Sequence, residues 1–147
     1  MKRFLVPPLF VLISLVLIVL FYFKMPRFTI IPFPFNFGGL LISFSGFMMM
    51  GKARELFKKH NTNLAIKTSS SIVTEGLYAK TRNPMYIGMF LLLLGIAVCF
   101  ANLLSMTMPF GFIISIHLIF IPKEEKLMHE AFGNQYLEYK SKVKRWI

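Results

Sequence analysis

Aspartate is absent from this chain, and six glutamates stand against 17 lysines and arginines, leaving a net charge of +11. That imbalance can mark a nucleic-acid binder. Here the basic residues flank apolar runs and do not interleave with exposed aromatics, so phosphate headgroups of an anionic leaflet are the expected partner and nucleic acid is not. There is one cysteine, Cys99, inside an apolar run. It permits no disulfide within the chain and no thiolate metal set, and is read as a small core residue. His60, His117 and His129 are scattered, so no metal site is expected. No glutamate falls inside an apolar run, which leaves only His117 for a proton relay there; a proton-coupled transporter would need more. No dinucleotide fingerprint is visible, which weighs against a nicotinamide enzyme.

What the chain has in abundance is hydrocarbon. Apolar residues make up 56% of its 147 residues and the mean hydropathy is +0.63, too apolar for a soluble domain of this size. Residues 1–147 are read as one domain. Phe4–Phe23 carries no charge, and at ~1.5 Å per residue it covers about 30 Å, the thickness of the hydrocarbon layer. It lacks the short apolar core and cleavage site of a signal peptide. Pro7 and Pro8 fall in its first turns, where proline costs least. A Pro- and Phe-rich loop follows over 24–36, suited to the interface. A second span is expected over 37–51, where Gly38, Gly39, Ser43, Ser45 and Gly46 would allow close helix packing. The helix should run on into water through Lys59, with Glu55 and Lys59 paired at i,i+4. The stretch 61–71 reads as a loop. Residues 85–121 carry no charge over 37 positions; a turn at Ala101–Ser105 would split them into spans 85–101 and 103–121, with Pro109 and Gly111 loosening the second.

The tail, 122–147, is amphipathic. Met128, Phe132, Tyr136, Tyr139 and Val143 recur at three- and four-residue spacing, one face of a helix. Gly133 should end one piece and Asn134 cap the next. Trp146 is read as an aromatic anchor among headgroups. The expected fold class is thus an all-α integral membrane protein: four transmembrane helices and a C-terminal amphipathic helical segment. Fifteen of the 17 basic residues would lie on one side and two on the other. Under the positive-inside rule that places both termini, the loop 52–84 and the tail in the cytoplasm.

Two polar clusters bound the third and fourth spans. One is Thr81-Arg82-Asn83 before Pro84; Asn83-Pro84 reads as a helix cap and first helical residue. The other is Pro122-Lys123-Glu124-Glu125. The hairpin of two spans puts them on one face, so they are expected to meet. Their site would open both to cytosol and to lipid, and suits a zwitterionic ligand. A helix N-terminus and Arg82 can take a carboxylate; paired glutamates can take an ammonium group or accept from ribose hydroxyls. The bland alternatives are a membrane-edge anchor for Arg82, an ordinary first helical turn for Glu124 and Glu125, and an aromatic belt for the tyrosines. His117 is either functional or a partner for a neighbouring helix.

Gly76-Leu77-Tyr78, Arg82-Asn83-Pro84-Met85-Tyr86-Ile87-Gly88, then a span pair, Glu124-Glu125, and Phe132-Gly133-Asn134-Gln135-Tyr136-Leu137-Glu138-Tyr139 together resemble the isoprenylcysteine carboxyl methyltransferase family, which groups with the membrane phospholipid methyltransferases. The resemblance covers residues 74–147. It implies S-adenosylmethionine as cofactor, held by Tyr78, Arg82, Asn83, Pro84, Tyr86, Gly88, Glu124 and Glu125. It also implies methyl transfer to a membrane-borne acceptor, either the carboxylate of a lipidated cysteine or the amine of a phospholipid. Lys142 and Arg145 are candidates to orient a carboxylate, and Tyr86 or Glu125 to relieve an amine of its proton. Asn83 stands where that family's pattern has His, so no proton-transfer role of that His carries over. A bacterial inner membrane is favoured over endoplasmic reticulum. The rivals are a membrane reductase with a nicotinamide cofactor and a non-catalytic four-helix membrane protein.

Overall fold

A computed structural model describes residues 7–60 and 71–147. The first residues of the 4–23 run and nearly all of the 61–71 loop lie outside them. The described residues are helical, with no strand beyond an isolated bridge between Thr29 and Asn102. Helix α1 is Pro7–Lys24, α2 Gly38–Lys59, α3 Pro84–Phe100, α4 Leu103–Ser115 and α5 Ile121–Lys142; short 3-10 turns cover Pro26–Phe28, Phe35–Phe37 and Gly76–Ala79. Two helical runs among the described residues are long and apolar enough to cross a membrane, α1 and the run that begins at Leu103; α3 is apolar but has 17 residues.

The turn expected between α3 and α4 is present. Ala101 adopts a left-handed backbone (φ 55°) that ends α3. Asn102 is fully buried and caps α4: its Oδ1 accepts from the Leu104 and Ser105 N–H groups at 3.0 and 3.2 Å. Its Nδ2 donates to the Met25 carbonyl at 2.9 Å, tying the end of α1 to the hairpin. More than a turn residue, Asn102 therefore satisfies three backbone groups at once. Asn102→Ala is expected to cost about 2–4 kcal/mol, a lost cap plus an orphaned carbonyl. Chemical denaturation in detergent measures it, and a loss within the error of wild type would refute the assignment.

Helices α2 and α3 pack antiparallel on glycine. Gly39 faces Gly95 and Gly46 faces Gly88, seven residues apart on each helix; a Cβ built on Gly46 would lie 2.6 Å from the Gly88 carbonyl oxygen. Ser43 Oγ adds a bond to the Leu92 carbonyl at 3.2 Å. The core proper lies between α1, α3 and α4, where Ile18, Leu93, Ala97 and Ile116 are fully buried. The outer face of α2 stays exposed through Leu40, Leu41, Phe44 and Phe47.

Further local features bear on the expectations. Helix α4 runs through a widened turn into α5, past Pro122. Pro122 has no N–H to return to the Leu118 carbonyl and its ring crowds that group. The turn before it widens into a π-segment, Ile116–Phe120, and the Ile121 N–H reaches back to the Ile116 carbonyl. The extra residue in that turn swings the face of α5 by about 100°. Gly133 is non-helical (φ 50°, ψ −125°) and divides α5 into two helices across a kink, as expected. Lys59 bonds Glu75 at 2.9 Å, not Glu55, because the following loop returns across the end of α2.

Candidate functional site

The two polar clusters meet. Arg82 precedes the start of α3, Glu125 lies just past the first turn of α5, and the guanidinium contacts the carboxylate at 3.0 Å. Glu125 also receives Arg145 Nε at 3.0 Å and Lys140 Nζ at 2.9 Å. One carboxylate thus serves three cations. Burial works to raise its pKa, but the bonds from Arg145 and Lys140 and the charges of Arg82 and Arg145 outweigh it, and Glu125 stays below the usual carboxylate range.

Its neighbour Glu124 behaves oppositely. Its Oε1 accepts the Tyr86 hydroxyl at 2.6 Å. Burial pushes its pKa up, and the Tyr86 bond only partly opposes this. Adjacent glutamates are therefore driven apart: one is a fixed anion, the other titrates closer to neutrality.

These groups line a cavity of about 460 Å³, inside the range of roughly 300–1,000 Å³ usual for small-molecule sites. Its polar lining is Arg82, Asn83, Glu124, Glu125 and Tyr136; its apolar lining draws Phe57 from α2, Val73 from the loop, Met85 and Met89 from α3, and Pro7 and Pro8 from α1. Four separate parts of the chain build it. Tyr139 closes one wall and donates its hydroxyl to the Tyr78 carbonyl at 2.7 Å. Burial raises the pKa of Tyr78, so its phenol stays protonated. Among the described residues, Arg82 Nε is buried without a hydrogen-bond partner. A donor left unmet in the wall of a cavity is a place for a ligand oxygen.

Of the residues picked from the sequence, Tyr78, Arg82, Asn83, Tyr86, Glu124 and Glu125 line the cavity. Pro84 is buried and opens α3. Gly88 packs on Gly46 and Met50. Arg145 meets Glu125 but is not part of the lining. Lys142 stands apart, its ammonium on Glu138 at 2.6 Å and exposed. Asn83 occupies the cap position of α3 without capping it: its Nδ2 donates to the Arg145 carbonyl at 3.0 Å, while Thr81 Oγ1 accepts the Asn83 N–H at 3.2 Å. Residues 143–147, docked on this loop, replace solvent as the partner. Trp146 is likewise no free anchor; its Nε1 donates to His117 Nδ1 at 3.1 Å. Sequence reasoning missed Lys140, Tyr136 as a cavity residue, and Phe57. The tyrosine had a signal, its place in the tail motif of the resemblance, but the bland alternative for it was an aromatic belt.

Residues 33–135 match the model of the phospholipid methyltransferase family. This chain belongs to that family. Among curated proteins it is similar to the protein-S-isoprenylcysteine O-methyltransferases of Schizosaccharomyces pombe and Xenopus laevis. The first is 34% identical over 73 residues, 49% of this chain and 30% of that protein; the second is 36% identical over 78 residues, 51% of this chain and 26% of that protein. It is also 35% identical over 63 residues, 43% of this chain, to an uncharacterized protein of Haemophilus influenzae whose whole length is covered. The chain spans less than a third of the length of the two methyltransferases. For a phospholipid methyltransferase family member the geometry is informative. The family match takes in Arg82, Tyr86, Glu124 and Glu125 and ends at Gln135; Tyr136, Lys140 and Arg145, which complete the charged wall, lie beyond it.

Proposed function

We propose that this protein is an integral membrane methyltransferase that binds S-adenosylmethionine in the cavity walled by Arg82, Glu124 and Glu125 and methylates a membrane-borne acceptor. The observation that carries the reading is the Arg82–Glu125 contact in the wall of a cavity lined by both polar and apolar side chains. The residues fit the ligand. An amino-acid ammonium or ribose hydroxyl finds Glu124, a carboxylate or ring nitrogen finds the unpartnered Arg82 Nε–H, and the remaining wall is aromatic and aliphatic. Helices α1, α2, α3 and α4 are the four spans of this reading, with both termini cytoplasmic. The exposed apolar face of α2 and the one-sided basic charge support that topology. A bacterial inner membrane is the compartment proposed, in keeping with the fully covered Haemophilus relative.

S-adenosylmethionine, when bound, supplies a methyl group on a cationic sulfur. The chain's own residues bind, orient and keep water out. Arg82 and Glu125 fix the polar groups of the ligand, and Met85, Met89 and Phe57 admit an apolar acceptor. Arg82 and Arg145 are both spent on Glu125, whereas Glu124, with its raised pKa, is poised to take a proton from an ammonium acceptor onto its free oxygen while Oε1 keeps the bond from Tyr86.

Calorimetric titration of the purified protein with S-adenosylhomocysteine tests the reading. One site per chain is expected, and no heat or thermal shift at millimolar ligand would refute it. Affinity should rise with pH. Only ionised Glu124 attracts a cation, and its raised pKa moves that transition above the usual carboxylate range. In Glu124→Gln this pH dependence should flatten. Without ligand the sign reverses. The folded pKa lies above the unfolded one, so the stability owed to Glu124 is full at low pH and is lost as pH rises through the folded pKa.

A further inference from the structure

The charged wall of the cavity leans on a segment behind it. At Val143 the backbone leaves α5 extended (φ −119°, ψ 129°) and returns across the start of α3. The Arg82 N–H donates to the Lys144 carbonyl at 3.0 Å. Thr81 Oγ1 and Asn83 Nδ2 both donate to the Arg145 carbonyl, at 3.1 and 3.0 Å. These bonds deliver the Arg145 guanidinium to Glu125. The far end of the segment packs Trp146 against the core and meets the side chain of His117, in the widened turn of the α4–α5 run. Trp146 Nε1 lies 3.1 Å from His117 Nδ1, and Arg145 Nη1 lies 3.5 Å from His117 Nε2.

Indole and guanidinium nitrogens only donate, and a neutral imidazole has one acceptor nitrogen. Both approaches cannot be hydrogen bonds in the same tautomer. The shorter one, from Trp146, leaves Nδ1 bare and the proton on Nε2. That N–H faces Arg145 without bonding it, so the guanidinium's partner remains Glu125. We propose that His117 is a positioning residue: by accepting from Trp146 it holds the C-terminal segment in place, and through Arg145 it sets the Glu125–Arg82 wall. His117 itself does not line the cavity. The inference rests on the methyltransferase reading of that cavity.

Trp146 is the chain's single tryptophan, so its fluorescence reports this contact directly. His117→Leu removes the acceptor, whereas His117→Asn keeps an acceptor oxygen close to the place of Nδ1. In lipid nanodiscs, His117→Leu should weaken S-adenosylhomocysteine binding about tenfold, the scale of one lost hydrogen bond. It should also red-shift Trp146 emission and increase acrylamide quenching. His117→Asn should restore affinity, emission and quenching. Trp146→Phe, which leaves the imidazole untouched, should reproduce the affinity loss even if His117→Leu folds poorly. Unchanged affinity and emission in His117→Leu overturns the proposal. Equal loss in the Leu and Asn variants also overturns it, because the ring would then act by packing. Should wild type bind no S-adenosylhomocysteine, the methyltransferase reading falls, and the emission and quenching comparison alone decides whether His117 holds the segment.

Discussion

Glu125→Gln is expected to weaken S-adenosylhomocysteine binding at least about 100-fold and to abolish methyl transfer, the scale of breaking a buried pair by deleting one partner. The substitution is nearly isosteric, so it removes charge and little else. It leaves three cations facing one amide. The side chains of Arg82 and Glu125 are 11% and 13% exposed, against 29% for Arg145 and 43% for Lys140. Water can therefore reach Lys140 and part of Arg145, and Arg82 bears most of the loss. The double variant Arg82→Ala/Glu125→Gln should accordingly fall well short of the sum of the two single losses, since no buried charge is then left alone. Glu130→Gln is the control. Its ion pair with Lys126 is long, 3.9 Å, and exposed, and such pairs contribute little. A Glu125→Gln protein that binds within threefold of wild type would show that the ion pair is not part of the ligand site.

How this wall could be anticipated, and where anticipation stopped, follows from the range of the forces involved. Asn83-Pro84 announces a helix start because proline's fixed φ and missing N–H act locally. Glu124-Glu125 ends a charge-free run because hydrocarbon excludes carboxylates over a fixed thickness. Both signals reside within a few residues, and the span pair between them brings the ends together. Other features depend on a distant partner and leave no local trace. The Asn83 side chain had every local reason to cap α3, yet it bonds the Arg145 carbonyl, 62 residues away. Glu55 sat at ideal spacing from Lys59, but Glu75 arrives across the end of α2. Lys140 was one of several basic residues on the tail, and only the kink at Gly133, which lies between the two in α5, turns it back onto Glu125. Gly88 was grouped with the ligand residues by its place in a motif. Its work is to let α2 approach.

That approach yields the second large effect. Gly95→Ala is expected to stop α2 and α3 from assembling, whereas Gly111→Ala, also inside a helix, should be neutral or slightly stabilising. The two substitutions add the same methyl group. At Gly95 it would overlap the Ser43 amide nitrogen and hydroxyl and the Gly39 carbonyl oxygen; at Gly111 nothing lies within 4 Å. Backbone atoms cannot swing aside as a side-chain tip can, so the helices must separate. Separation also breaks the Ser43–Leu92 bond and the Asn36 Nδ2 bond to the Cys99 carbonyl, 3.0 Å long, at the same interface. The loss should therefore exceed the roughly 1–3 kcal/mol of ordinary overpacking. At Gly111 the change of propensity dominates, about 0.5–1 kcal/mol in favour of alanine. Gly46→Ala should follow Gly95→Ala, since its Cβ would also meet backbone, the Leu92 nitrogen at 2.6 Å. Gly88→Ala should follow as well, since its Cβ would lie 2.8 Å from the Gly46 carbonyl oxygen, besides 2.6 Å from Met50 Cγ. Thermal unfolding of the four variants in one detergent checks the ranking. Gly95→Ala and Gly111→Ala melting together would mean that α2 and α3 are not held by their glycines, and the face that presents Phe57 to the cavity would need another support.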